Sequence, residues 1–172
     1  MGEITNNKLF YYIPIVIITI SILMGIILGV KTSSLKEVSD NGLWDFLNYI
    51  GIVEKPYIET SWISIAVHNL FLSLKVGFLG LISGGIFTFP YLLSWWSLWI
   101  RLIIEEPIYK SFFVIPEAIG ITSVVILSVY IGLNYFIYKS IPKYQIILFF
   151  VGILLILVGG VIESYEISSF IK

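Results

Sequence analysis

The chain has 172 residues, of which 58% are hydrophobic and 12% charged, with a mean hydropathy of +0.99. A soluble domain carries about 25% charged residues, so this composition cannot clothe a water-facing surface. The net charge of −1 excludes a basic field for nucleic acid, and the absence of cysteine excludes disulfide and thiolate chemistry.

Crossing about 30 Å of hydrocarbon takes roughly 20 apolar residues in a helix. Residues 9–30 supply one such run, with Tyr11 and Tyr12 near its start as aromatic anchors. Lys8 before it imitates a signal peptide. The run outlasts a signal h-region, and no small-residue cleavage site follows, so it reads as an uncleaved first span. Residues 31–60 form the main polar stretch, with Lys31, Lys36, Glu37, Asp40, Asp45, Glu54, Lys55 and Glu59. Within it Leu43, Trp44, Leu47 and Ile50 recur at helical spacing between a capping Asp40 or Asn41 and Gly51. This predicts a short helix, either lying in the membrane interface or packed as a loop helix.

The chain is then almost wholly apolar from Trp62 to Ile104. One helix of that length would measure roughly 65 Å, twice the hydrocarbon thickness, so it must turn. Gly84-Gly85 and Phe89-Pro90 are the natural breaks. Spans over 62–85 and 88–104 result. The second is short and holds Trp95, Trp96 and Trp99, which suits an upright or re-entrant helix. The tryptophans read first as interfacial anchors in contact with lipid, and second as a stacking site for a ligand. Glu105, Glu106, Pro107, Lys110 and Pro116 mark a connection. Further spans follow at 117–138 and 144–162, joined by a hairpin with Lys139, Pro142 and Lys143. The fold class expected is all-α: a polytopic bundle of about five transmembrane helices plus one interfacial helix, in one membrane domain.

The basic residues do not settle the orientation. Lys8, Lys139 and Lys143 lie on the N-terminal side. Lys31, Lys36, Lys55, Arg101, Lys110 and Lys172 lie opposite, together with most of the acids. A count of Lys and Arg makes the opposite side cytoplasmic, whereas net charge favours the N-terminal side.

From residue 62 to 166 the chain resembles the stage II sporulation protein M family. His68-Asn69-Leu70 is similar to the family's Asn-containing opening of the second span. Gly77-Phe78-Leu79-Gly80 and Gly84-Gly85 resemble its glycine-rich continuation. Ile115-Pro116-Glu117-Ala118-Ile119 resembles its Pro/Glu signature, and Gly159-Gly160-Val161-Ile162-Glu163 its closing Ile-Glu motif. Where family members commonly place Pro-His-Gly before the signature glutamate, this chain has Phe112-Phe113-Val114-Ile115, so the role of that histidine does not transfer. The resemblance implies five spans, a cytoplasmic N-terminus, and membership of a membrane complex that holds partner proteins. It does not imply sporulation.

Ionisable groups within a bilayer are costly unless paired or hydrated, which makes each a candidate. They are His68, Lys75, Glu117 and Glu163, with Asn69 and Asn134 as polar companions. His68 and Lys75 are seven residues apart and share a helix face. If the spans alternate, Glu117 and Glu163 fall at the membrane face where the second span begins. An intramembrane cluster of His68, Asn69, Lys75, Glu117 and Glu163 is then expected, with Lys75 reaching it by snorkelling. Such a cluster either fastens helices or meets an ion, a lipid headgroup or a partner. Gly25 and Gly29, and Gly80 and Gly84, have the spacing that lets helices approach closely. Packing within the chain is the favoured reading, homodimerisation the other.

Neither a Gly-x-Ser-x-Gly elbow, a His-Glu-x-x-His pair nor a phosphate loop occurs, and a single His leaves little for catalysis or for metal binding. The expectation is a non-enzyme without cofactor, multi-pass in the cell membrane. It would serve as a scaffold or assembly subunit beside other membrane proteins or further copies of itself. The alternative is a transporter or channel subunit that uses the intramembrane Lys, Glu and His groups.

Overall fold

A computed structural model describes residues 3–33, 61–105 and 112–170. It contains α1 (Glu3–Ser33), α2 (Trp62–Ile82), α3 (Thr88–Glu105), α4 (Val114–Tyr138) and α5 (Lys143–Phe170), with no strand among the described residues. The chain is an all-α membrane bundle. Four segments, Tyr12–Lys31, Trp62–Ile82, Val114–Tyr138 and Lys143–Tyr165, are long and apolar enough to cross a bilayer. α3 is not among them, because three tryptophans, Pro90, Arg101 and Glu105 dilute its 18 residues. The helix expected between Asp40 and Gly51 lies outside the described residues.

The outside of the bundle is apolar. Ile27, Phe71, Phe78, Ile147 and Phe150 are each more than 60% exposed, which in water would be an untenable surface. In lipid it is the expected one, since helices satisfy their own backbone and turn side chains outward.

Neighbouring contacts give the direction of each helix. Gly25 of α1 lies against Leu93 and Trp96, and Gly29 against Ser97 and Ile100, so α1 and α3 run parallel. Asn69 of α2 meets Glu117, Gly77 meets Ser128 and Leu81 meets Gly132, so α2 and α4 are parallel as well. α5 runs antiparallel to both, with Gly152 beside Gly120 and Gly160 beside Ala66. The five helices therefore alternate. One end of the bundle carries the two tight turns, and the other carries the longer connections. α3 rises once from the tight-turn end without doubling back.

Two packed sets result. α1 lies along α3, and α2, α4 and α5 form a triad. α4 joins them, and Val76, Tyr91, Leu92, Trp95, Val124, Val125 and Ile156 fill the shared core. Small residues set the spacing. A methyl at Gly25 would meet the Leu93 carbonyl at 2.7 Å, and one at Gly29 the Ser97 carbonyl at 2.7 Å. The Gly25/Gly29 stripe thus packs within the chain. Gly80 faces Thr88 and Val129.

Gly84 departs from its expected packing role. It has φ +61, and a methyl there would find no neighbour within 4 Å, because α2 stops at Ile82 and Gly84 reverses the chain. The Gly85 amide donates to the Gly80 carbonyl at 2.7 Å, the six-to-one bond of a Schellman ending. Gly85, at φ +94, also lets the turn rest on Pro14 of α1. Ser83 accepts from the Phe87 amide and Thr88 donates to the Gly85 carbonyl, which closes the polar groups of the turn. Pro90 does not break the chain. It sits in the first turn of α3, where no amide is needed. Pro116 behaves likewise, so α4 begins at Val114 rather than after the proline.

Gly25→Leu should force α1 off α3 and lower stability by about 1–3 kcal/mol. Leu23→Phe, on the exposed face, should change it by no more than about 0.5 kcal/mol. Unfolding titrations in mixed micelles measure both. Equal losses would contradict the α1–α3 contact.

Candidate functional site

At the end with the longer connections, polar groups from three helices meet. Glu117 lies in the first turn of α4, where the helix dipole favours a carboxyl. It is 9% exposed, and the Asn69 side-chain amide of α2 donates to its Oε1 at 3.2 Å. Ser73, one turn below Asn69, turns its hydroxyl back to the Asn69 carbonyl, so its own polar group is satisfied within α2.

α5 closes the third side. A methyl at Gly159 would lie 3.2–3.3 Å from the Glu117 backbone and Cβ, so only glycine lets α5 come this near without displacement. One turn further along, the Glu163 carboxyl is close enough to act electrostatically on Glu117. The site is thus a buried carboxyl held by one amide, with a second, half-buried carboxyl beside it.

Of the five residues expected to converge, Asn69, Glu117 and Glu163 do. His68 is exposed and Lys75 half-buried, and neither has a hydrogen bond or ion pair with any described residue. The cause is helical phase. Six residues separate Asn69 from Lys75, which turns Lys75 away from the face that carries Asn69 and Ser73. It also lies roughly 9 Å further into the bundle, too deep to join by snorkelling.

Two further polar pairs join helices in the interior. At the tight-turn end the Asn134 amide donates to Gln145 Oε1 at 2.8 Å, with both residues buried. This joins α4 to α5 just inside a turn in which Lys139 takes a left-handed φ of 54. Midway, the Trp96 indole N–H donates to Thr122 Oγ1 at 3.2 Å, tying α3 to α4. Neither Gln145 nor Thr122 stands out in the sequence. Gln145 follows Lys143 and Tyr144 and looks interfacial, and a threonine in an apolar run draws no notice. The glycines facing α4 were legible in principle, since Gly152 and Gly159 are seven residues apart and share a face.

The tryptophans also differ from their expected role. Trp95 and Trp99 are 7% and 4% exposed, and their rings stack at 6.1 Å. Tyr91 meets Trp95 at 5.9 Å, and Trp96 meets Trp99 edge-on at 5.7 Å. They fill the core between the two helix sets instead of anchoring in lipid, and they pack on one another. Arg101 and Glu105 form an exposed i,i+4 ion pair of the kind that contributes little.

Among the described residues no three His, Cys, Asp or Glu side chains are grouped to hold a metal ion. No family model matches the chain, and no curated protein or solved structure matches it either.

Glu117→Gln keeps an acceptor for Asn69 and cannot carry a charge beside Glu163, so it should match or exceed the parent in stability. Glu117→Leu strands the Asn69 amide and should cost roughly 0.5–2 kcal/mol. Thermal unfolding in nanodiscs ranks the variants. A Gln variant less stable than the Leu variant would contradict this role.

Proposed function

We propose that the chain is a multi-pass scaffold or assembly subunit of the cell membrane, not an enzyme, which holds partner membrane proteins in a complex. The supporting observation is how its interior polar side chains are used. Asn69 with Glu117, Asn134 with Gln145 and Trp96 with Thr122 bind one another across helix pairs. Groups spent on fastening helices make a stiff platform. A translocation pathway instead presents its polar groups to a passing solute. The resemblance to the stage II sporulation protein M family points the same way, since the sporulation members of that family hold partners in a membrane complex, although many other members have no assigned role.

Purification from native membranes in mild detergent after crosslinking should recover a different protein in fixed stoichiometry. A chain that stays alone, or associates only with itself, would overturn the reading. So would solute or proton flux in reconstituted vesicles that is lost on Glu117→Gln while the fold is kept.

A further inference from the structure

In the middle of the helix triad Lys75 is without a counterpart among the described residues. His68, Lys75 and Ile82 recur every seven residues along α2, on the side away from Ser73, Gly77 and Gly80, which pack inward. Phe71 and Phe78 flank this stripe and are 70% and 62% exposed. Lys75 lies roughly 15 Å along the helix axis from the Gly84–Gly85 turn and roughly 20 Å from Trp62. That is mid-bilayer depth, farther from either surface than a lysine side chain extends. An ammonium there costs several kcal/mol unless a counter-charge meets it.

The described spans hold none. Their carboxylates are Glu117 and Glu163, both at the end with the longer connections, and Glu117 is engaged on the inner face of α2. A lipid phosphate lies at the surface, out of reach. A second copy is a poor match as well. A two-fold contact through this stripe would bring Lys75 against Lys75, with no acid at that depth in any described span.

We propose that the outer face of α2 docks a transmembrane helix of a different protein, and that this helix carries an Asp or Glu at mid-bilayer depth to pair with Lys75. The inference rests on the scaffold reading and gives its partner a chemistry: an apolar helix with one intramembrane carboxylate, packed on Phe71 and Phe78.

Because the chain has no cysteine, single-cysteine variants carry a photoreactive probe without background labelling. Probes at Phe71→Cys and Phe78→Cys, activated in native membranes, should join one other membrane protein with an acidic residue inside a span. Lys75→Met should cut that adduct about tenfold or more, the loss expected when 1.4 kcal/mol or more of pairing disappears. Lys75→Glu combined with Lys at the partner's acidic position should restore it. Adducts with lipid or another copy alone, or an adduct unchanged by Lys75→Met, would overturn the proposal. A lower unfolding temperature for the isolated Lys75→Met chain would also overturn it, since Lys75 would then serve an internal partner. A partner captured instead from a probe at Leu154 on α5, and indifferent to Lys75, would sink this inference and leave the scaffold reading intact. Capture of no partner from either face would sink both.

Discussion

The close approach of helix backbones at glycine governs the rest of the architecture. In hydrocarbon, helices gain nothing by hiding apolar surface from one another, so association depends on dispersion contacts and on a few hydrogen bonds. Both need short distances. At Gly120 a methyl would lie 2.8 Å from the Gly152 carbonyl, Gly25, Gly29 and Gly77 approach their neighbours closer still, and Gly159 and Gly160 come within 3.1–3.2 Å of theirs. These contacts allow an amide as short as Asn69 or Asn134 to reach its partner on the next helix. Widening the Gly159 contact by one side chain would draw α5 away from Glu117, and widening the Gly77 contact would pull α2 off α4, where Asn69 meets Glu117.

The polar pairs follow from that spacing and divide the labour along α4. Its first turn holds Glu117 against α2 and α5, its middle offers Thr122 to α3, and its last turns offer Asn134 to α5. Each pair sits at a different depth and engages different helices, so together they specify register as well as proximity. A one-residue slip of α4 would misalign all three. The cost would exceed that of losing any single bond, because buried polar groups have no water to turn to.

The fold class was legible in the sequence because composition alone forbids a soluble surface and length demands repeated spans. The Gly84-Gly85 reversal was legible for a local reason: a long apolar run must turn where positive φ is cheap. What escaped was the choice of helix face. In a span that is apolar all round, hydropathy does not separate core from lipid, so Trp95 and Trp99 read as anchors although they are buried. Glycine position carries that information instead, as the Gly25/Gly29 stripe illustrates. The polar cluster was half legible. Alternation of the spans placed Asn69, Glu117 and Glu163 at one end. Grouping Lys75 with them ignores that six residues of helix rotate a side chain to another face. α4 begins earlier than the sequence suggests, because Pro116 resembles a stop and yet a first turn tolerates it.

The interleaving of the two helix sets has a consequence for biogenesis. α1 packs on α3 and α2 on α4, so neither pair is made of consecutive helices. As the chain leaves the ribosome, α1 enters the membrane with its Gly25/Gly29 groove open, and α2 follows before the helix that fills that groove has been made. α2 in turn holds Asn69 in the bilayer until Glu117 arrives with α4. The nascent chain must therefore carry two unfinished interfaces at once. The first closes when α3 arrives and the second only when α4 does.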